Sequence, residues 1–559
     1  MQDYSDNKIV NNAIPDKVLE IIKLRGIGEA ELDEFLAPKP RLAYDPFLLS
    51  NMREGVDLLL KKIDEGMNIV IYGDYDVDGI TSTALLMKVL SCLTDKVSYY
   101  IPSRIDEGYG LHSDAIDRIK ANGGEFIVTV DCGSVSKEET AYAHRLGIET
   151  LVTDHHNISD VTAEGLVINP RLPEDNYPFK GLAGVGVAYK LALAISRVRD
   201  IPKTVMAEII ELATVGTIAD IMPMLDENRT IVKVGLRSMH LGCRNRGLRE
   251  LIDRSSLDYK SIKASDISFG IAPKINASGR MGDATLGVRL LLSEDEQEIR
   301  DCCTSLLDAN RERRRLQDEA FAKGLSLLDS EMKKGDFLML EINDSHEGVL
   351  GIVAGRIREQ VNRPVVVVSR GDGTYKGTGR SIPGVDLFSM LDKYRDEFIS
   401  FGGHSAACGF TIAADKMDSL KEKLNKDMEE ARKSNPGILE FSYDFDADIE
   451  PESIDINLAE ALELLEPCGK ENEMPMFLVR NAEIAGWKFL RNEEKMAKFA
   501  IKREDGTYVD AVMFSGAGNA YEEISRGPVD VIGSIEKNVW RDEAKVQVIV
   551  RHILPKGSI

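Results

Sequence analysis

The sequence predicts an α/β protein: a parallel β-sheet layered between helices, joined by a long helix to a second α/β unit, and followed by a small all-β barrel. Three observations predict it. From about residue 50 to 220, short β-branched runs alternate with amphipathic helical stretches, the grammar of parallel-sheet domains. From 285 to about 335 one charged stretch rich in Arg and Glu runs on, with Leu306, Leu307 and Leu316 as its apolar points. After about 436 the runs shorten to MFLVRNAEIAG, KFAIKRE, YVDAVMF, VDVIGSIEK and KVQVIVRHIL, separated by polar turns.

At 559 residues the chain has room for three or four domains. The expected division is a helical lead-in over 1–45, a first α/β domain over 46–284, a connecting helix over 285–335, a second α/β domain over 336–435 and the barrel over 436–559. No stretch approaches the ~18 uninterrupted apolar residues of a membrane span. MQDYSDNKIV lacks the basic-then-apolar order of a signal peptide, so a cytoplasmic protein without a membrane role is expected. Seven cysteines without a CxxC pair suggest reduced thiols rather than disulfides or zinc. A formal charge of −23 excludes coating nucleic acid by bulk attraction. It leaves room for local basic patches, and Arg311, Arg313, Arg314 and Arg315 form one, Arg237, Arg244, Arg246, Arg249 and Arg254 another. Each reads equally well as a solvated helix face paired with nearby Glu and Asp.

The lead-in ends near Pro38, Pro40 and Pro46 and carries no legible role. The stretch around which the chain is organised is IVIYGDYDVDGITSTALL, residues 69–86. Ile69, Val70, Ile71 and Tyr72 read as a buried parallel strand, and Thr81 to Leu90 as the helix after it. The turn between them carries Asp74, Asp76 and Asp78, bounded by Gly73 and Gly79. One Asp can cap the helix and the others can be solvated. Three together in a water-poor crevice repel one another unless a divalent cation, or a pair, sits among them.

In open parallel sheets, chemistry collects at the carboxyl ends of the strands. Several apolar runs end in side chains able to bind metal: FIVTVD at Asp131, ETLVTDHH at Asp154, His155 and His156, and ELATVGTIAD at Asp220. Strand tips of this kind predict a converging carboxylate and imidazole cluster. Its mixed oxygen and nitrogen donors suit Mn²⁺ or Mg²⁺ better than Zn²⁺.

Beyond the long helix, DFLMLEI, GVLGIVAGRIREQV and RPVVVVS open the second α/β domain. Gly377, Gly379, Gly402 and Gly403, with Arg380, Ser381 and His404 beside them, suggest backbone amides approaching a phosphate. Arg104 and Arg280 are further phosphate-clamp candidates, with a structural ion pair as the alternative for each. In the barrel, Trp487, Phe499, Phe514 and Trp540, with Lys488, Lys498, Arg541 and Lys545, are the aromatic and basic side chains available for stacking on a ligand. Trp540, set between polar neighbours in an expected turn, is the leading stacking candidate, and the other aromatics read equally as core.

GDYDVDG, VDCGS, TDHH and GTIADIMP, in this order, resemble the four motifs of the DHH phosphoesterase superfamily. IPSRIDEGYGL, YPFKGLAGVGVAYKL, INASGRMGDA, HEGVLGIVAGRI, GTGRSIPG and FGGHSAACGF narrow the resemblance to the RecJ exonucleases, over nearly the whole chain. Two features depart from that pattern: Ser345 stands before His346 where Trp is common, and the chain ends at 559 without the extra C-terminal domain of some relatives.

The resemblance implies a DHH domain, a DHHA1 domain and a C-terminal OB-fold. It implies two divalent ions, Mn²⁺ or Mg²⁺, held by Asp76, Asp78, Asp131, His155 and Asp220, with Asp74 and His156 as further ligands or as partners of ligands. Asp154 is expected to orient a histidine. Asn276 and Arg280 of INASGRMGDA join Arg104, Arg380, Ser381, Gly402, Gly403 and His404 as substrate-binding candidates. The implied activity is 5′ to 3′ hydrolysis of single-stranded DNA to mononucleotides, in recombination and repair. The implied setting is a monomer working beside single-strand-binding protein and a RecQ-type helicase. The rival within the superfamily is a phosphodiesterase for short oligoribonucleotides or cyclic dinucleotides. A rival of another class is a scaffold without activity, which would have lost metal ligands that this chain retains.

Overall fold

The computed structural model describes residues 14–37, 40–104, 107–158, 161–490, 495–540 and 543–559. Five strands, β1 (Ile69–Gly73), β2 (Val97–Tyr100), β3 (Phe126–Val130), β4 (Glu149–Thr153) and β5 (Leu166–Ile168), form an all-parallel sheet in the order β2-β1-β3-β4-β5. β1 and β3 are buried along their whole length, which is why their sequences read as unbroken apolar runs. The order reverses between them, so the crevice where a ligand enters such a sheet opens at their carboxyl ends.

The helix after β1 spans Val77–Leu90, starting four residues before the expected Thr81. Asp76 is therefore its cap, accepting a hydrogen bond from the Gly79 amide at 3.1 Å. Against it pack the helices Gly184–Ser196 and Lys203–Ala219. The latter corrects one expectation: Asp220 ends a helix, not a strand. Ile209 to Ile218 are buried on every side of that helix, and burial all round erases the periodicity that separates a helix from a buried strand.

The helix Glu296–Met332 has 37 residues, about 55 Å at the usual rise. Its first half packs Ile299, Cys302, Cys303 and Leu306 into the core of the first lobe, and its second half packs Ala320 and Leu328 into the core of the next. That lobe holds a second sheet of β6 (Leu338–Glu341), β7 (Val365–Arg370), β8 (Thr374–Arg380), β9 (Phe398–His404) and β10 (Ala407–Ala413), ordered β6-β7-β8-β10-β9. β6 and β7 are parallel and the other pairs antiparallel.

The C-terminal strands are β11 (Ala447–Asp448), β12 (Phe477–Ala482), β13 (Ile484–Phe489), β14 (Ala497–Lys502), β15 (Tyr508–Met513), β16 (Val529–Trp540) and β17 (Glu543–Pro555). β12 and β13 are nearly continuous in the chain, yet β12 pairs with β16 and β13 with β14. One bent strand thus closes the sheet into a barrel. The helices Asp16–Leu24 and Glu29–Leu36 of the lead-in bury Val18, Ile21, Ile22 and Phe35 in the core of this barrel domain, against Ile454, Leu458 and Leu462 among others. Arg229, buried on the helix Asp226–His240, ties the pieces together. Its guanidinium donates to the carbonyls of Phe35, Leu465, Glu466 and Pro467 at 2.9–3.1 Å and lies 3.9 Å from the Phe35 ring centre. No described helix is long and apolar enough to cross a membrane.

Candidate metal centre

The first three carboxylates come from the turn after β1. Asp74 is buried and its Oδ1 has no hydrogen-bond partner. Asp78, in the first turn of the helix Val77–Leu90, accepts from the amides of Gly184 (2.8 Å) and Val185 (2.7 Å), which open the helix Gly184–Ser196. Both ends of that contact are positive ends of helix dipoles, suited to an anion. Gly79 and Gly184 are needed for close approach: a Cβ on the first would strike the Asp74 backbone, and on the second the Asp131 carboxylate.

β3 and β4 supply the rest. Asp131 follows β3 in the left-handed region at φ 61°, a strained conformation for a residue with a Cβ. His155 Nε2 lies 3.1 Å from Asp131 Oδ1, 3.5 Å from Asp220 Oδ2 and 3.8 Å from Asp78 Oδ2. Ligand-capable atoms fall into overlapping groups: Asp74, Asp76 and Asp131; Asp78, His155 and Asp220; Asp131, Asp154, His155 and His156. All seven metal candidates of the sequence thus converge.

Asp154 has a different duty. Its oxygens accept from the amides of Ser134 (2.9 Å) and His155 (2.7 Å) and from His156 Nδ1 (2.8 Å). Burial raises the Asp154 pKa, but the His156 bond and the charge of both histidines outweigh it and hold the group below the carboxylate range. His156 is displaced the opposite way: burial lowers its pKa, and Asp154 more than reverses this, to about 9. The Tyr109 hydroxyl lies 3.0 Å from the same Nδ1.

The other carboxylates are under stress. Burial first, then neighbouring carboxylates, push Asp74, Asp78 and Asp131 well above the usual range and Asp220 up to about 7. Burial also pulls His155 down to about 3, leaving a neutral imidazole. Buried Asp74 Oδ1, Asp131 Oδ1, Asp220 Oδ2 and His155 Nε2 have no hydrogen-bond partner. Unpartnered oxygens that repel, around a neutral nitrogen, fit divalent cations that would hold all of them at once.

The arginine candidates meet in a second group. Arg104 lies 5.1 Å from the Tyr75 ring centre, and Arg280 donates to the Gly348 carbonyl at 3.1 Å. Burial lowers the Arg280 pKa to about 10, helped by the charges of Arg104, Arg313 and Arg380. Burial and then Arg104 lower Arg380 as well. Arg380, Ser381, His404 and Arg358 line an open cavity of about 770 Å³. No carboxylate pairs with Arg104, Arg280 or Arg380 among the described residues.

Other candidates fill different places. Asn276 Oδ1 accepts from the Val77 amide at 3.2 Å, so it braces the turn that carries Asp74 and Asp76. The Ser381 hydroxyl donates to the Val385 carbonyl at 2.6 Å and steadies the cavity wall. Gly377 and Gly379 are packing glycines: a Cβ there would strike Phe410 in one case and Leu387 and Val366 in the other. Gly402 is open to solvent. Gly403, at φ 143°, leaves no space for a Cβ beside Ala407 and Cys408. His346 accepts from the Gly348 amide at 3.1 Å and caps the helix Glu347–Val361. Of the arginine patches, Arg311, Arg315, Arg246 and Arg254 pair with Asp or Glu, so the solvated-face reading holds for them.

In the barrel, Phe499 is core and Trp487 stacks on it with ring centres 4.7 Å apart. Phe514 is exposed. Lys488 and Lys498 line a cavity of about 460 Å³ beside Tyr508, an exposed aromatic that the sequence reading passed over. Trp540 ends β16 rather than lying in a turn, and its side chain, like Arg541, lies outside the described residues.

The sequence reading also missed Tyr109, Arg171 and Lys470. Arg171 follows β5 by three residues and was open to the strand-end rule. Lys470 carries no local signal.

Family models match three segments: the DHH family N-terminal domain over 68–217, the DHHA1 domain over 334–430 and the RecJ OB domain over 445–552. The chain is 32% identical over 530 residues to the single-stranded-DNA-specific exonuclease RecJ of Salmonella typhimurium, covering 91% of each. This chain belongs to the RecJ family. The RecJ of Bacillus subtilis is 33% identical over 542 residues, 96% of this chain and 67% of that one. Among solved structures, RecJ of Thermus thermophilus in complex with Mn²⁺ superposes with a TM-score of 0.80 at 28% identity, covering 97% of this chain and 77% of that one. The same RecJ with Mg²⁺ gives 0.76. The α/β, long-helix, α/β and OB arrangement is thus the RecJ arrangement, and the Asp and His cluster here suits Mn²⁺ and Mg²⁺, the ions of those RecJ complexes.

Proposed function

We propose that this RecJ-family chain is a metal-dependent exonuclease that degrades single-stranded DNA from the 5′ end to mononucleotides. The observation that carries it is the pairing of the metal-capable cluster, with its unpartnered buried atoms, and three arginines from both lobes that pair with no carboxylate among the described residues. Asp74, Asp76, Asp78, Asp131, His155 and Asp220 would hold two ions, Mn²⁺ or Mg²⁺. Such a pair polarises the scissile phosphate, lowers the pKa of a bound water and steadies the leaving oxygen.

The chain's own side chains do the rest. Asp154 accepts from Nδ1 of His156 and fixes the orientation of that ring at the rim of the metal centre. Arg104, Arg280 and Arg380 would hold the terminal 5′-phosphate. Cleavage that leaves a 3′-hydroxyl on the released nucleotide gives the shortened strand a new 5′-phosphate, the same anion again. Ser381 and His404 shape the cavity beside Arg380. Lys488, Lys498 and Tyr508 of the OB domain would hold the strand further along.

A phosphodiesterase for short oligoribonucleotides is disfavoured by the RecJ OB match over 445–552. Work as a monomer in recombination and repair, beside single-strand-binding protein and a RecQ-type helicase, belongs to the same proposal. The test is digestion of a strand labelled at either terminus, with Mn²⁺ and then with chelator. A 5′ label is expected in mononucleotide from the first turnovers, and chelator stops the reaction. Early release of a 3′ label would overturn the polarity.

A further inference from the structure

The metal centre has cations at both ends. Arg104 stands by Asp74 and leads to Arg280 and Arg380. At the Asp220 end stand Arg171 and Lys470. Arg171 comes three residues after β5, the neighbour of β4, and Lys470 is tied by its carbonyl to Met224, four residues after Asp220. The Arg171 guanidinium is held by the Lys180 carbonyl at 3.2 Å and by Asn157 Oδ1 at 2.7 Å. No carboxylate pairs with Arg171 or Lys470 among the described residues.

Lys470 comes from another part of the chain, on the turn that leads into the OB barrel. That turn is built with care. Asn472 is buried and donates to the carbonyls of Leu465 and Pro467, both at 2.9 Å, while Arg25 of the lead-in donates to its Oδ1 at 2.6 Å. Gly469 and Asn472 exchange two backbone hydrogen bonds at 3.0 Å. Glu471 takes φ 63°, a left-handed conformation that a residue with a Cβ adopts only where its surroundings hold it. The Met224 amide donates to the Lys470 carbonyl at 2.7 Å, which locks the turn to the catalytic lobe four residues after Asp220. The result is an exposed lysine on a rigid turn that the Met224 contact holds against the segment just after Asp220.

We propose that Lys470, with Arg171, binds the phosphate that follows the scissile one, so that the strand crosses the metal centre from the arginine trio towards the OB domain. This rests on the exonuclease reading above. A single strand bends freely at each phosphate, so a cation directly beyond the cut confines the segment between terminus and barrel. Lys470 is thus a substrate-binding residue by which the barrel domain reaches the reaction.

The test uses the full chain with Mn²⁺, a 5′-phosphorylated dinucleotide, which lacks the second internal phosphate, and a 5′-phosphorylated 12-mer. Lys470→Gln is expected to raise KM for the 12-mer about 3- to 10-fold and to flatten the dependence of log kcat/KM on log salt by about 0.7, the share of one single-strand phosphate. Dinucleotide turnover stays at the wild-type value, and Lys470→Arg restores the 12-mer. Equal loss on both substrates with an unchanged salt slope would make Lys470 a support for Asp220 and overturn the contact, as would no loss on either. Wild-type protein that degrades neither substrate would bring down the exonuclease reading itself, and the contact with it.

Discussion

Asp131 Oδ1 faces His155 Nε2 at 3.1 Å, two side chains delivered from the ends of adjacent parallel strands, and neither atom has a hydrogen-bond partner. The pair joins all three ligand groups of the centre, because each group contains Asp131 or His155.

Asp131→Ala or His155→Ala is therefore expected to lower hydrolysis by at least about 10³-fold, the effect of losing about 4 kcal/mol of transition-state stabilisation, while single-strand binding persists. Asp131→Asn removes one repelling charge. In chelator it should unfold at a higher temperature than wild type, and it should lose most of the further rise that Mn²⁺ gives wild type. Calorimetry with and without Mn²⁺ checks both, and a variant as active as wild type would refute the two-ion assignment.

His156 in the metal-free protein is held up to about 9 because Asp154 outweighs the effect of burial. The unfolded value is about 6.5. The folded pKa is raised, so the stabilisation is fully present below about pH 6.5 and is lost as pH rises through 9. Asp154→Asn should abolish that loss in unfolding curves taken in chelator. It should also cut hydrolysis about 10- to 100-fold, as when the orienting partner of a metal-site histidine is removed.

Arg380→Ala should weaken use of a 5′-phosphorylated strand by about 1.5–3 kcal/mol, roughly 10- to 100-fold in kcat/KM, and leave a 5′-hydroxyl strand little changed. Competition between the two ends in one reaction measures it. Equal loss on both would place the terminal phosphate elsewhere.

Arg229→Met should strand buried carbonyls of Phe35, Leu465, Glu466 and Pro467 and cost about 3–5 kcal/mol. Limited proteolysis is expected to release the lead-in helices and the barrel domain first, with Mn²⁺ binding by the first lobe kept. Protease resistance equal to wild type would deny Arg229 this role.

Much of the centre was legible along the chain because each piece is local. An apolar run ending in Asp131, or in Asp154, His155 and His156, declares a buried parallel strand and what stands at its tip, since burial on both faces selects unbroken β-branched runs. The sequence by itself thus determined the α/β class, the long helix, the barrel strands and the set of residues able to bind metal. The tertiary structure alone decided that Asp220 reaches the centre from a helix end, that Gly377 and Gly379 are packing residues, that the lead-in helices belong to the barrel core, and that Lys470 is tied to the segment after Asp220. The physical reason is range. Periodicity and turn chemistry act over a few residues and leave a local mark, whereas contacts such as Met224 to Lys470 or Arg229 to Pro467 join segments more than two hundred residues apart, and no local pattern records them.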